Sequence, residues 1–138
     1  MSFSLIRKVD PQLVDVRLNY KNIAGDFLTY YYNIYDDDFP RLNNLYYKES
    51  QFTFRDKEFY GFSNLMDLIV KTYKIYKFTH SIAHATVQPI NNSDLLIVVH
   101  GMISVNNSPH FDKYIETILL RRDDSNRFMI LNTIFKLV

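Results

Sequence analysis

The chain contains no cysteine among its 138 residues. Disulfides, thiol nucleophiles and cysteine-based zinc sites are therefore excluded, and the absence fits a reducing compartment. Only three glycines occur, and the sequence holds no Gly-rich phosphate loop, nucleophile motif or carboxylate pair. Excess charge is missing too. The formal net charge is +1, which gives no electrostatic reason for nonspecific nucleic-acid or membrane binding. No apolar run is long enough to span a bilayer. The start "MSFSLIRKVDPQ" breaks its short apolar patches with Arg7, Lys8 and Asp10 and lacks the apolar core of a signal peptide. The default expectation is a cytosolic or nuclear protein with no direct membrane binding.

What the chain does have is apolar and aromatic mass. Nearly half of it is hydrophobic, at 47%, and 16% is aromatic. A chain of this length and composition builds one folded domain with one core. The reading is a single domain over 1–138, with 1–9 as a flexible lead. No internal repeat, linker or low-complexity segment divides it.

Asp10 and Pro11 read as the N-cap and first position of a helix. From there Leu13, Val16, Tyr20, Ile23, Phe27, Tyr30 and Ile34 recur at steps of three and four, which predicts one apolar stripe. Tyr31 and Tyr32 flank that stripe, with hydroxyls able to reach polar partners. Gly25 inside it suggests a kink or a close contact. Asp36, Asp37 and Asp38 end the helix and are placed to cap a second, short one. Pro40 sits in that helix's first turn, and Leu42, Leu45 and Tyr46 point inward.

"QFTFRDKEFYG" alternates around Arg55-Asp56-Lys57, a hairpin signal. Ser63 is the expected cap of a third helix carrying Leu65, Leu68, Ile69 and Tyr73. Four strand-like runs follow, His80–Pro89, Leu95–Val105, Lys113–Arg122 and Arg127–Leu137, joined by "NNSD", "NNSP" and "DDSN". Short connections between long strands predict an antiparallel meander. Helices first and strands afterwards give an α+β domain.

Few residues point to chemistry. His80 and His84 are four apart, but on a strand that spacing puts them on one face roughly 13 Å apart. They cannot share a metal, and polar residues on a sheet face is the reading preferred. Glu116 lies inside the apolar strand "YIETILL". It is either a general base raised by burial or a structural carboxylate bonded to a tyrosine, and no second positioned group supports the base. Lys71, Lys74 and Lys77 recur among Tyr73, Tyr76 and Phe78, a pattern that can bind single-stranded RNA. A solvated helix flank accounts for them as well and is preferred.

The sheet is the more informative feature. "LLIVVHGMISV" is apolar at nearly every position, and Arg127–Leu137 carries apolar side chains on both faces. An antiparallel meander that is apolar on both sides is covered on both sides. The predicted helices cover one face, so the other predicts a protein partner.

This order of elements resembles the nuclear transport factor 2-like family. The resemblance rests on "FLTYYYNIYDDDFPRLNNLYYKES", then "FTF", "FYG", Gln88-Pro89, "LLIVVHGMIS" and the terminal "NTIFKL". It runs from about Asn22 to the C-terminus. It implies a cone in which a bent antiparallel sheet wraps three helices and leaves a cavity. The cavity would be lined by Phe27, Tyr30, Tyr31, Phe54, Glu116 and Phe135. The outer sheet face would pair with a protein partner. Strand alternation anchored on an inward Phe135 gives that face as Val98, His100, Ile115, Thr117, Leu119, Ile130, Asn132, Ile134 and Lys136.

The resemblance also implies a function. The family's Ran-GDP carrier uses a rim of three acids, and Arg55, Asn106 and Ser108 occupy those positions here. Their absence argues against Ran-GDP binding. A second branch, the small subunit that pairs with the cone domain of the mRNA export receptor, is similar in its longer helical lead "DPQLVDVRLNYKN" and in lacking the acidic loop. Lys136 stands where the family usually has an Arg that pairs across the dimer. The expectation is a non-enzymatic transport subunit without cofactor or metal, shared between nucleus and cytoplasm. It would act at the nuclear pore, where it would support binding of Phe-Gly nucleoporins. The alternatives are a homodimeric Ran-GDP carrier and a small-molecule enzyme or binder that uses Glu116 and nearby tyrosines. No Asp–His pair is placed in the cavity from sequence, which argues against the enzyme.

Overall fold

The structure is a computed structural model that describes residues 16–138. The expectations on residues 1–9 and on Asp10, Pro11 and Leu13 lie outside them. Helix α1 spans Val16–Asp37 and a 3-10 helix spans Phe39–Leu45. Strands β1 (Tyr46–Phe54) and β2 (Lys57–Tyr60) form the expected hairpin, and Arg55 enters its turn with a positive φ of 59°. Helix α2 (Phe62–Asp67) continues into a π turn over Leu68–Thr72. Strands β3 (Phe78–Pro89), β4 (Asp94–Val105), β5 (Asp112–Arg122) and β6 (Phe128–Leu137) complete the chain.

The strands make one sheet in the order β2-β1-β6-β5-β4-β3. All pairs are antiparallel except β1 with β6, which run parallel. The sheet curls around the helices without closing, so the α+β cone expected from the resemblance is the fold observed.

Burial along α1 departs from the predicted stripe. Phe27, Tyr31, Tyr32, Ile34 and Tyr35 are buried, whereas Tyr30 is half-buried at the core's edge. Successive helical residues are about 100° apart, so consecutive tyrosines cannot all point inward. The broad arc that Tyr31, Tyr32 and Tyr35 share wins because aromatic partners meet it. Tyr35 packs on Phe39 and Phe78, and Tyr32 on Tyr114. Gly25 is exposed, and a side chain there would meet nothing within 4 Å, so it marks no close contact.

The helix ends differ from expectation as well. Asp38 occupies the N-cap of the 3-10 helix without a side-chain cap bond. Gly61, not Ser63, precedes α2, because a φ of 85° is needed there. Pro40 does sit in the first turn, and Leu42, Leu45 and Tyr46 are buried as read.

Two β-bulges reset the faces of the sheet. In β3 an extra residue, Ala83, lies between Ile82, opposite Gly101, and His84, opposite His100. His80 and His84 therefore do not share a face. His80 turns inward, while His84 is exposed on the outside. In β6 Leu131 is the extra residue, since Leu119 faces Asn132 and Leu120 faces Ile130. Ile130 consequently points into the core at 0% exposure and is not part of the outer face. Ser50 secures this bulge, its Oγ donating to the Ile130 carbonyl at 2.6 Å.

Candidate functional site: the cone interior, its mouth and the outer sheet face

Three places could carry function, and each is set by strand alternation or a helix end. The first is the interior. Inward positions of β5 bring Tyr114, Glu116, Ile118 and Leu120 under α1. Glu116 is buried. It accepts a hydrogen bond from Tyr32 Oη at 2.8 Å and another from Tyr31 Oη at 3.1 Å. Tyr46 Oη lies 3.3 Å from that of Tyr31. Burial pushes the Glu116 carboxyl up, while His80 and the two tyrosine bonds pull it back down. Burial, and then the charge of Glu116, push the Tyr31 and Tyr32 hydroxyls up, so they remain protonated donors.

Beside this cluster stands an Asp–His pair that the sequence reading did not place. Asp36 Oδ1 lies 2.6 Å from His80 Nδ1, and Asp36 Oδ2 accepts from the His80 backbone N–H at 2.9 Å. The carboxylate can only accept, so Nδ1 carries the proton. Nε2 is buried with no hydrogen-bond partner among the described residues. The ring packs against Tyr32 and Tyr35 at 4.7 and 4.5 Å. An Asp–His pair near a carboxyl raised by burial is a set used for acid–base chemistry. Here Tyr31, Tyr35, Tyr46, Phe52 and Leu65 close over Glu116 and leave no space that admits a water-sized molecule. The arrangement instead ties the end of α1 to β3.

Of the residues expected to line a cavity, Tyr31, Phe54, Glu116 and Phe135 meet at this closed interior. Phe27 is fully buried and stacks on Tyr31 at 5.7 Å. Tyr30 stays at the edge of the core. Tyr32 was read as able to reach a polar partner, and that partner is Glu116; Tyr35 and the pairing of Asp36 with His80 were missed. The signal available was a "DDD" run at a helix end and a histidine opening the first meander strand.

The second place is the mouth of the cone. It is a cavity of about 70 Å³ lined by Phe54, Arg55, Phe78, Ser108, His110, Asp112 and Phe135 among others. The Arg55 guanidinium lies over the Tyr73 ring at 4.5 Å. His110 Nε2 is 2.8 Å from Asp112 Oδ1. Of the three rim positions singled out in the sequence, Arg55 and Ser108 line this mouth. Asn106 instead braces the segment before β3, accepting from the Tyr76 and Lys77 backbone N–H groups and donating to the Lys74 carbonyl. The lysine row is not one helical face, because helical structure stops at Thr72. Lys71 pairs with Asp67, Lys74 has a positive φ, and Lys77 Nζ donates to the Asp36 carbonyl at 2.6 Å.

The third place is the outer face of the sheet. Cross-strand register aligns Thr86, Val98, Thr117, Ile134 and Thr53 in one row. The next row holds His84, His100, Ile115 and Lys136. Leu96, Leu119, Asn132 and Gln51 form another. Val98, Ile115, Thr117, Leu119 and Asn132 are half-buried, while His100, Ile134 and Lys136 are exposed. Eight of the nine residues expected on this face are there; Ile130 is not. On β3 to β6 the outward titratable side chains are His84, His100, Lys113, Arg121, Lys136 and Asp94. Asp94 is engaged by Arg121 in a bidentate pair at 2.8 and 2.9 Å, which holds its carboxyl below the ordinary value. Glu58 lies at the far edge on β2, opposite Thr53.

Comparison with known proteins identifies what this geometry is similar to. Residues 23–137 match the family model of the nuclear transport factor 2 (NTF2) domain. Nuclear transport factor 2 of Saccharomyces cerevisiae is 28% identical over 121 residues, covering 87% of this chain and 95% of the relative. The structure of nuclear transport factor 2 from Cryptosporidium parvum superposes with a TM-score of 0.78 at 23% identity, over 87% of this chain and 95% of that one. A hexachlorocyclohexane dehydrochlorinase from Novosphingobium barchaimii shares the fold, with a TM-score of 0.69 at 12% identity over 88% of each chain. The fold thus hosts both transport factors and enzymes, and the site has to decide between them.

Proposed function

Because this chain belongs to the nuclear transport factor 2 (NTF2) domain family, we propose that it is a non-enzymatic nuclear transport protein that works through its outer sheet face. The reading extends the names of its relatives. It is supported by a cone interior with no room for a substrate beside Glu116.

The finer reading is a heterodimer, in which this chain is the small subunit beside the cone domain of an mRNA export receptor. The observation that carries it is the charge on the outer face. The centre of that face is apolar, with Val98, Ile115, Leu119 and Ile134. Its charges on β3 to β6 are cations and histidines, and the single carboxylate, Asp94, is already paired. A second copy would bring like charges to like charges along this surface, which is unfavourable. A partner sheet with carboxylates opposite Lys113 and Lys136 removes the conflict. The pair would support Phe-Gly nucleoporin binding at the pore and pass between nucleus and cytoplasm.

A homodimeric Ran-GDP carrier is the second reading, favoured by the relatives' names. Against it stands Arg55, a cation at the mouth where the carrier reading needs an acid. Two measurements separate the readings. Affinity capture of the tagged chain from its own cells, followed by mass measurement, returns a larger cone-domain chain in equal amount. Calorimetry with Ran-GDP at micromolar concentration gives no heat of binding. A pure homodimer with micromolar Ran-GDP affinity would replace the first reading by the second.

A further inference from the structure

A second, larger cavity opens where α1 ends. About 240 Å³ lies between the last turn of α1, the 3-10 helix and the π turn. Its walls are apolar: Phe39, Met66, Ile69, Ile75 and Phe78. On its lip Val70 and Tyr76 are 51% and 77% exposed, so the apolar surface continues outward. Phe78 also lines the mouth and stands as a wall between the two cavities. The outer sheet face contributes nothing to it.

Asp36, Asp37 and Asp38 form the other lip. Asp36 is engaged by His80, and Lys77, the cation in the lining, by the Asp36 carbonyl. The carboxylates of Asp37 and Asp38 have no partner among the described residues, and Asp38 does not cap the helix it precedes. Both stand at the negative end of the α1 macrodipole, and the last turn of α1 has no basic side chain. Each feature is unfavourable for the isolated chain: acids at a helix C-terminus, and an open apolar hole beside exposed Val70 and Tyr76. A ligand that brings an apolar group and a cation together relieves both.

We propose that this cavity docks a linear segment of a protein partner that offers one aromatic or large aliphatic side chain with a Lys or Arg beside it. Benzene fits an apolar cavity of about 150 Å³, so the volume here accepts a phenyl ring or a leucine side chain. The cation lies on Asp37 and Asp38, where exposure makes its contribution sensitive to salt. This site is independent of the partner on the sheet face and survives if that reading fails.

The test uses short synthetic peptides carrying one Phe between lysines, read by fluorescence polarisation against the full chain. Two control peptides replace Phe by Ala, or the lysines by Glu. The protein variant is Asp37→Lys with Asp38→Lys; both positions are exposed, so its circular dichroism matches the parent, and removing acids from the α1 C-terminus leaves its melting at or above the parent's. The Phe–Lys peptide binds, its affinity falls as salt is added, and each control peptide or the double variant weakens it about tenfold or more. Absence of binding by the Phe–Lys peptide overturns the proposal. So does equal binding of either control peptide, or unchanged binding by the double variant.

Discussion

The two faces of strand β5 belong to the same eleven residues and do opposite things. Inward, Glu116 meets two tyrosine hydroxyls, and Ile118 and Leu120 have no solvent exposure. Outward, Ile115, Thr117 and Leu119 lie half-buried, and among the described residues no helix packs over them. A buried carboxylate is tolerated on the inner face because its acceptors are satisfied and its neighbours fill all available space. The outer face is apolar and cationic without a complement among the described residues, which is why we propose it as a partner surface. Period-two alternation lets one strand build the core on one side and present a separate surface on the other.

Neighbouring substitutions on β5 break this comparison most sharply. Ile118→Ala removes buried methylene groups and should cost about 2–5 kcal/mol in urea unfolding. Leu119→Ala, one residue away, should cost less than about 1 kcal/mol when the isolated chain is measured at fixed concentration. Equal losses would mean that the faces are assigned wrongly.

Glu116→Gln tests the inner network with a smaller effect. Gln keeps the shape and much of the bonding, so stability near neutral pH should change by about 1 kcal/mol or less. The pH profile is the sharper readout. The folded carboxyl sits above its unfolded value, so the folded state holds its proton longer than the unfolded state. That contribution is present below the unfolded pKa and is lost as pH rises through the folded one. The parent should lose stability over this interval, and the Gln variant should lack that particular fall. Parallel profiles for the two proteins would contradict the burial argument.

The smallest effect is at a position where an added side chain would touch nothing. Gly25 is exposed within α1, with open space where a side chain would go. Gly25→Ala should raise stability by about 0.5–1 kcal/mol through helix propensity and reduced unfolded-state entropy. A thermal melt of the isolated chain that shows destabilisation would contradict the open space at this position.

Much of this fold was legible because hydrophobic periodicity is local. The 3.6-residue pattern marked α1, and turn signals bounded the four meander strands to within two residues of where they lie. The bulges were not legible. "FMILNTIF" is apolar on both sides, so inserting Leu131 leaves no polar residue out of phase to betray it. Ile130 was therefore read onto the wrong face. Ala83 hid in the same way, its small side chain tolerated on either side, and it separated His80 from His84. The Asp36–His80 pair joins residues 44 apart across a helix end and a strand. No local pattern encodes such a contact. The outer face was largely legible because β4 and β5 run without a bulge against each other.

If the outer sheet face is the working surface, as we propose, one substitution at Ile134 should disable it. Ile134 is 44% exposed, it stands between Thr117 and Thr53 in the row that starts at Thr86, and its backbone lies in regular pairing with both. Ile134→Glu places a carboxylate on that face without touching the core. The measurement is the mass of the assembly recovered from cells by native mass spectrometry, parent against variant. The parent should carry a partner chain, and the variant should be recovered without it. An unchanged assembly mass in a folded Ile134→Glu variant would contradict the proposal.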